Sequence, residues 1–311
     1  MNGRYVHRPV MLTEVVSLFE PVPDGVLVDA TVGAAGHSEA LLDRHPGLRL
    51  VGLDRDADAV AAAVARLERF GPRAEVRHAS FDDIAAEAGR GPVTAVLFDL
   101  GVSSPQLDRP ERGFSYRQDG PLDMRMDTSG PLTAADVVNG YDTERLARVL
   151  REHGDERFAS RIAAAIVAHR PIERTTALAA VVRDAIPAAT RRRGPHPATR
   201  TFQALRMEVN DEPGQLRRGL DAAIDMLAGG GRLAVLAYHS GEDRVVKQRL
   251  RAAERGSDQA PPPGLPAPPG ARPRLRLLWR GARTPGAEEI AANPRAASAR
   301  LRAGERLEET S

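Results

Sequence analysis

The first hundred residues alternate short apolar runs with helical segments, and this alternation constrains the fold more than any other feature of the chain. The intervening segments Ser38–Arg44 and Asp56–Arg69 have the apolar spacing of helices. An alternation of strand and helix predicts an α/β fold with a doubly wound, mainly parallel sheet. Four runs bounded by Gly, Pro or Asp predict buried strands: Val26–Ala30, Arg49–Asp54, Glu75–Ala79 and Thr94–Leu100.

Beyond Leu100 the alternation stops. Gly101–Pro131 predicts a long polar loop, and loops of this length are usually functional or disordered. The segments that follow predict helices: Thr133–Asn139, Thr143–His153, Glu156–His169, Thr175–Ile186, a stretch after Pro197, and Pro213–Leu227.

The sheet pattern returns near the end of the chain. A turn at Gly229–Gly231 precedes an apolar strand at Arg232–Tyr238, and Leu275–Arg280 predicts a last strand after the Pro-rich linker Gln259–Pro273. We therefore predict one α/β domain from residues 1–110 and 211–311. It is interrupted at residues 111–210 by a loop and an inserted all-α domain for substrate recognition.

Composition excludes several classes of protein. The 311 residues include no cysteine, which excludes a disulfide framework, thiolate metal sites and a cysteine nucleophile. No apolar run approaches the roughly 18 residues of a membrane span, and the first residues lack the apolar stretch of a secretory signal. We expect a cytoplasmic protein that needs neither membrane nor metal.

The net charge is only +2, and every basic residue except Lys247 and the histidines is Arg. This preference for Arg weakly favours binding to nucleic acid.

The first strand leads into a glycine-containing turn that opens a helix. Gly33 and Gly36 allow close approach of a ligand, and the helix N-terminus favours an anionic group. Asp54 ends the next strand, where a carboxylate accepts ribose hydroxyls. NAD and S-adenosylmethionine share this geometry. The incomplete G-x-G-x-x-G pattern favours S-adenosylmethionine, as do Phe81 and Asp82, which lie where an adenine is expected.

Reacting ligands of open α/β sheets lie beyond the carboxyl ends of the strands. Asp99 ends the fourth strand and is the acid best placed to accept hydrogen bonds from an amine that receives a methyl group. The fifth strand ends at Tyr238 and His239, where Ser240 is a candidate helix N-cap. We predict Asp99, Ser104 and His239 as catalytic residues.

Basic residues of the middle third are candidates for RNA binding. They form one cluster before a helix and another in the long loop near the catalytic strand, where Arg can pair with phosphates. The predicted RNA-binding residues are Arg112, Arg117, Arg125, Arg191, Arg193, His196 and Arg200.

Longer motifs resemble one known family almost from end to end. The chain resembles the bacterial 16S ribosomal RNA cytosine N4-methyltransferases, the RsmH or MraW family. The segments 120–127 and 196–206 are the most specific, because no general requirement of the fold explains them. The matching stretches are residues 7–14, 33–38, 53–56, 99–108, 112–115, 119–127, 141–161, 196–206, 239–244 and 293–296.

The resemblance implies a class I, Rossmann-like methyltransferase whose substrate is a P-site cytidine of 16S ribosomal RNA, within the small ribosomal subunit. The sequence predicts no oligomeric state. Family members usually have Gly at position 35 and Leu at position 241, where this chain has Ala35 and Gly241. The resemblance also implies that S-adenosylmethionine contacts Ala35, Gly36, His37, Asp54, Phe81, Asp99 and Gln106.

Two other functions are consistent with the residues. A small-molecule methyltransferase of the same fold would not need the arginine-bearing loop or the long insertion. A non-enzymatic ribosome assembly factor with a vestigial pocket would not bind S-adenosylmethionine.

Overall fold

The computed structural model describes residues 9–101, 104–188, 196–257 and 272–308, with the side chains of residues 104 and 105 left aside. The chain divides into two compact units, residues 1–101 with 214–311 and residues 102–213. The boundaries predicted from the sequence were 110–111 and 210–211, so unit 2 begins earlier and ends slightly later than the predicted insertion. Within the described ranges no helix combines the length and apolar character of a membrane span.

Unit 1 contains one seven-stranded sheet with the strand order β3-β2-β1-β4-β5-β7-β6. The first five strands pair in parallel, while β7 pairs antiparallel with β5 and β6. The predicted doubly wound, mainly parallel sheet is therefore confirmed. The strands are β1 (Gly25–Asp29), β2 (Leu48–Asp54), β3 (Ala74–His78), β4 (Val93–Asp99), β5 (Leu227–Ala237), β6 (Leu275–Leu277) and β7 (Arg300–Arg306).

Helices cover both faces of this sheet, which is why the central strands β1 and β4 are almost continuously apolar and buried. Sequence patterns predicted neither the helix at Leu12–Phe19 nor β7. The described helices of unit 1 are α1 (Leu12–Phe19), α2 (Gly36–Arg44), α3 (Ala57–Leu67), α4 (Ile84–Glu87), α11 (Glu212–Met226, which begins at the end of unit 2), α12 (Ser240–Arg255) and α13 (Ala287–Ala292).

One local prediction for the fifth strand was wrong. Gly229–Gly231 belongs to β5 and is not a separate turn. The glycines form the irregular part of the strand, because the pairing with β4 shifts register there and Gly230 has a φ of 75°. The last predicted strand is also shorter than expected and ends at Leu277. The Pro-rich linker lies outside the described residues except for its last two positions.

Unit 2 is helical in its described part, apart from an isolated bridge between Pro121 and Arg174. Its helices bury one continuous apolar core. They are α5 (Ser104–Asp108), α6 (Ala134–Gly140), α7 (Thr143–Gly154), α8 (Ala159–Ala168), α9 (Thr175–Ala185) and α10 (Thr199–Val209).

The predicted polar loop, Gly101–Pro131, contributes residues from its described part in unit 2 to this core. Phe114, Leu122, Met124 and Met126 are buried among the helices. The sequence pattern missed this because single apolar residues in an irregular segment have no periodicity.

Asn210, at the end of α10, holds this loop by its side chain. Its Oδ1 accepts a hydrogen bond from Met126 N at 2.9 Å, and its Nδ2 donates to Met124 O at 2.8 Å. All three residues are buried. Because no water reaches these backbone groups, the side-chain amide of Asn210 supplies the hydrogen bonds that water would otherwise make.

We predict that Asn210→Ala destabilises the protein by roughly 2–4 kcal/mol, because it leaves a buried N–H and a buried carbonyl without this partner. Urea unfolding followed by circular dichroism measures the change. Gln118→Ala, at an exposed position of the same unit, is the matched control and should change stability by less than about 0.5 kcal/mol. Equal stability of the two variants would contradict the assigned role.

Candidate active site

The candidate site lies at the carboxyl edge of the sheet, where the strand order reverses between β1 and β4. In doubly wound sheets this switch point opens a crevice for ligands. Asp29 and Asp99 are the last residues of these two neighbouring strands. The turns beyond them are joined, because Asp99 N donates a hydrogen bond to Thr31 Oγ1 at 2.6 Å.

The turn after β1 requires an unusual backbone. Gly33 and Ala35 have φ values of 51° and 59°, in the left-handed region that favours glycine. The turn also packs closely on β2, since a Cβ added at Gly52 would lie 2.9 Å from Val32 Cγ2. The backbone of this turn is thus held against the end of β2.

Asp54 fixes the turn from the neighbouring strand. Its Oδ2 accepts a hydrogen bond from Gly33 N and its Oδ1 accepts one from Asp56 N, both at 2.9 Å. Burial raises the pKa of Asp54, and these two hydrogen bonds offset the rise in part. Since each carboxylate oxygen has a second lone pair, the oriented carboxylate can still accept the two hydroxyls of a ribose.

The donors and acceptors of this edge fit an adenosyl amino acid. The first turn of α2, beginning at Gly36, carries N–H groups of the kind that a helix leaves without intrahelical acceptors, and these suit a carboxylate. Asp54 suits the ribose. Phe81, partly buried after β3, offers an aromatic ring to the adenine.

Phe81 also has a structural role. Its ring meets Phe98 edge to face at 5.9 Å between centroids. Helix α11 approaches it so closely that a Cβ at Gly219 would lie 2.9 Å from Phe81 O. The adjacent Asp82 is held by Arg218, whose Nε and Nη2 donate to Asp82 Oδ2 at 2.9 and 2.7 Å. The aromatic ring is therefore fixed in place by its neighbours.

Three polar side chains meet at the end of β4. The hydroxyl of Tyr238 donates to Asp99 Oδ1 at 2.6 Å, and His37 Nδ1 lies 3.4 Å from Asp99 Oδ2. His37 is buried, whereas 27% of the Asp99 side chain is exposed. Asp99 is therefore an oriented carboxylate that still opens to the crevice.

The hydrogen bonds of His37 require the protonated ring. Its Nε2 lies 2.9 Å from Val10 O, a carbonyl that can only accept, so Nε2 carries a proton. A second proton on Nδ1 is needed to face the carboxylate of Asp99 favourably. Burial lowers the pKa of His37, but the hydrogen bond and negative charge of Asp99 outweigh burial and raise the pKa overall.

The neighbouring groups respond to the same burial. Burial raises the pKa of Asp29 to about 6, against the lowering effect of the Ser38 hydroxyl, which donates to Asp29 Oδ2 at 2.5 Å. Burial and the charge of Asp99 raise the pKa of the Tyr238 hydroxyl. Tyr238 therefore remains a hydrogen-bond donor at neutral pH.

The predicted N-cap at Ser240 was wrong, because His239 has that role. Glu242 N donates to His239 Nδ1 at 3.3 Å, and Glu242 Oε2 accepts from the backbone N–H groups of Tyr238 and His239. His239 Nε2 lies 3.0 Å from Glu242 Oε1, out of line for a hydrogen bond. One nitrogen of the His239 ring therefore caps the first turn of α12, and its catalytic role stays a prediction.

Two predicted site residues belong to unit 2. Gln106 is buried in α5, and Ser104 begins that helix, with its side chain outside the described part of the structure. Their predicted contacts with cofactor and substrate stay predictions.

Two of the predicted RNA-binding arginines are engaged within the long loop. Arg112 Nη2 donates to the carbonyls of Arg125 and Met126 at 3.2 and 2.9 Å. Arg125 makes a two-fold ion pair with Asp123 and donates to Gly130 O. Both side chains thus hold the loop, and the charge of Arg125 is paired with Asp123.

Other predicted RNA-binding residues lie at the surface of unit 2. His196 stacks on Tyr116 with 4.5 Å between ring centroids, and the exposed Arg117 lies over the same tyrosine. Burial and the charges of Arg117 and Arg183 lower the pKa of His196, so its ring is neutral at neutral pH. Arg200 is exposed and donates to Asp155 O. Arg191 and Arg193 lie outside the described residues.

Sequence reasoning missed the partners of Asp99. The sequence placed Tyr238 only at the end of the fifth strand, and it predicted His37 only as a cofactor contact. The hydrogen bond between Tyr238 and Asp99 joins residues 139 positions apart. No local pattern encodes such a pair, although the expectation that adjacent strand ends meet at one edge could have suggested it.

The switch-point crevice, the glycine turn and the ribose-type carboxylate define a nucleotide-cofactor enzyme of the Rossmann-like class. Residues 4–307 match the MraW methylase family. The Ribosomal RNA small subunit methyltransferase H of Thermobifida fusca is 55% identical over 313 residues, covering 97% of this chain and 94% of that protein. Its counterpart in Salinispora tropica is 53% identical over 321 residues, covering 99% and 86%.

The chain therefore belongs to the MraW methylase family. Membership confirms the resemblance seen in the sequence and the predicted class, a methyltransferase with S-adenosylmethionine as its cofactor.

The elevated pKa of His37 predicts a pH dependence of stability. A group whose pKa is higher in the folded state stabilises the fold fully below its unfolded pKa of about 6.5, and this contribution is lost as pH rises through the folded pKa. His37→Gln should therefore be destabilised most at pH 6 and approach the wild type as pH rises.

Urea unfolding at several pH values from 6 upward measures this. Asp29, whose pKa is about 6, titrates at the lower end of the same range, so the readout is the difference in stability between wild type and variant at each pH. His78→Gln, which replaces an exposed histidine of the same unit, is the control. Parallel pH profiles for wild type and His37→Gln would show that His37 is not protonated in the fold.

Proposed function

We propose that this protein transfers a methyl group to the N4 amine of a decoding-centre, P-site cytidine in 16S ribosomal RNA. Its relatives are named methyltransferases of small-subunit ribosomal RNA. The observation that carries the cytosine amine assignment is the carboxylate of Asp99, oriented by Tyr238 and His37 and open to the crevice.

An exocyclic amine is a poor nucleophile because its lone pair is delocalised into the ring. An acceptor that binds the amine hydrogens localises the lone pair and directs it. A carboxylate oxygen at the end of β4 is such an acceptor, and it can also hold the proton that the amine loses. A proton acceptor of this kind typically contributes about 10²–10⁴ in rate.

Asp99 is the only basic group among the three side chains of this cluster. The imidazolium of His37 has no free lone pair, and Tyr238 remains a protonated donor. Both therefore act on Asp99 by fixing its two oxygens, and neither removes a proton from the substrate.

S-adenosylmethionine supplies, when bound, an electrophilic methyl group on a positively charged sulfur. The turn at Gly33–Gly36 and the carboxylate of Asp54 would hold its amino acid and ribose parts, with Phe81 at the adenine. The principal contribution of these residues is alignment, since holding two reactants in a reactive geometry accounts for much of the barrier reduction in such transfers.

The helical unit is proposed to recognise the RNA. The surface group of Tyr116, Arg117 and His196 combines aromatic faces with positive charge, a combination that suits unstacked bases and backbone phosphates. A target base must leave its stack before it can react. The substrate is proposed to be met in the cytoplasm, within the small ribosomal subunit.

We predict that Asp99→Asn lowers the rate of methyl transfer at least about 100-fold, since the amide cannot take up a proton. Mass spectrometry of ribosomal RNA nucleosides, from a deletion strain complemented with each variant, measures N4-methylcytidine. Asp225→Asn, at an exposed carboxylate of the same unit, is the matched control and should restore full modification.

The deletion strain and a calorimetric titration distinguish the alternative functions. An unchanged rRNA modification pattern in the deletion strain would indicate a small-molecule methyltransferase. A protein that fails to bind S-adenosylmethionine in calorimetry would indicate an assembly factor. Full activity of Asp99→Asn would refute the role assigned to the carboxylate.

We also predict that Tyr238→Phe lowers kcat by roughly 10- to 100-fold with little change in KM. The variant removes a hydrogen bond to a charged group, which contributes about 1.5–3 kcal/mol. Tyr141→Phe is the control, because it removes a hydroxyl that donates to a carboxylate of unit 2, Glu208, at 2.8 Å. Steady-state methylation assays compare the two, and equal kcat values would exclude the positioning role.

A further inference from the structure

Unit 1 carries a second concave surface that the proposed reaction does not use. It is a groove of about 580 Å³ between α12, the segment after β6, and β7, and we call it the basic groove. Its walls are lined by Lys247, Leu250, Arg251, Glu254, Arg255, Leu277, Trp279, Arg280, Gly281, Arg302 and Ala303.

The basic groove is strongly positive although the whole protein is nearly neutral. Five cations line it against one carboxylate, Glu254. Arg302 is compensated by Asp243, with Nε–Oδ1 and Nη2–Oδ2 distances of 2.7 and 3.0 Å. In the described part of the chain, Lys247, Arg251 and Arg280 are exposed and have no ion-pair partner. Three uncompensated cations therefore lie together in this groove.

The cations of α12 form a regular row. Lys247, Arg251 and Arg255 are spaced four residues apart, so they lie on one face of the helix with a rise of about 6 Å between neighbours. This spacing is comparable with the separation of successive phosphates along a nucleic acid strand. A single small anion would need only one of these positions, whereas a polyanion can use the whole row.

The floor of the basic groove adds donors without acceptors. Arg255 Nε and Trp279 Nε1 are buried, and neither has a hydrogen-bond partner among the described residues. Buried donors without acceptors cost about 1–3 kcal/mol each. These unsatisfied donors belong to residues that line the groove beside its exposed cations. The indole ring is already covered by Arg283, whose guanidinium lies 4.2 Å from the ring centroid, so base stacking is not the expected mode.

We propose that the basic groove binds the phosphodiester backbone of the RNA substrate, at a site separate from the catalytic crevice of unit 1. The inference rests on the proposed function for the identity of the polyanion. Arginine pairs with phosphate in two-fold hydrogen bonds, and such contacts position RNA without reading its sequence. The groove thereby contributes affinity, and Asp99 contributes chemistry.

The test compares Lys247→Glu and Arg251→Glu with Arg90→Glu, which has the matched charge change at an exposed arginine of the same unit outside the groove. Fluorescence anisotropy with a 16S ribosomal RNA fragment gives Kd over a range of salt concentrations. Each groove variant should raise Kd roughly five- to tenfold at 0.1 M salt. It should also reduce the slope of log K against log salt by about 0.7–0.9.

Three further measurements separate the possible results. The groove variants should keep the wild-type Kd for S-adenosylmethionine and the wild-type kcat at saturating RNA. Poly-glutamate should compete poorly with RNA for the wild-type protein. Equal Kd values for the groove variants and Arg90→Glu would overturn the proposal. Competition by poly-glutamate that equals competition by RNA would also overturn it, in favour of an acidic protein partner.

Failure of the proposed function has a different signature. In that case the wild-type protein itself leaves 16S ribosomal RNA unmethylated. If the wild type methylates RNA and the groove variants bind RNA like Arg90→Glu, only the basic groove loses its assignment.

Discussion

The carboxylate of Asp99 is the constraint on which the rest of the site depends. It lies at the point where the strand order reverses, and each oxygen has one partner, Tyr238 or His37. His37 is in turn fixed by Val10 O, a carbonyl at the start of the described chain. The buried, protonated ring of His37 thus links the backbone at Val10 to the reactive carboxylate of Asp99. Desolvation would expel that charge if Asp99 did not balance it, so the two groups stabilise each other.

The scaffold accepts local strain in order to hold this arrangement. Ala35 adopts a left-handed conformation, which costs a residue with a Cβ about 1–2 kcal/mol, at a position where the resemblance leads one to expect glycine. Two contacts hold the same turn against β2: Asp54 accepts a hydrogen bond from Gly33 N, and the Val32 side chain packs on Gly52. Because these contacts fix the turn, the first N–H groups of α2 have a defined direction. The extra methyl group of Ala35 is buried and is accommodated without opening the turn.

How much of this could be read from the sequence depends on how local each feature is. The strands that end at Asp29, Asp54 and Asp99 were predicted within about a residue, because buried parallel strands are continuous apolar runs. The same rule predicted which acids share one edge. The remaining features depend on contacts between residues that lie far apart in the sequence. Strand β7 is positioned by antiparallel pairing with β5, and the loop segment at Met124 and Met126 is held by Asn210, which follows Met124 by 86 positions. Neither relation leaves a periodic signal.

The role of an arginine in binding is likewise difficult to predict from the local sequence. The sequence suggested Arg112 and Arg125 as RNA contacts because they lie near the catalytic strand, yet the structure engages both within their own loop. The sequence did not predict Lys247 and Arg251 as RNA contacts, because other residue types separate them along the chain and only the helix brings them onto one face. A charge attracts RNA only where no acid of the same protein compensates it, and compensation is a property of the fold. A net charge of +2 is therefore compatible with strong local attraction, since three exposed cations without a described ion-pair partner lie together in the basic groove.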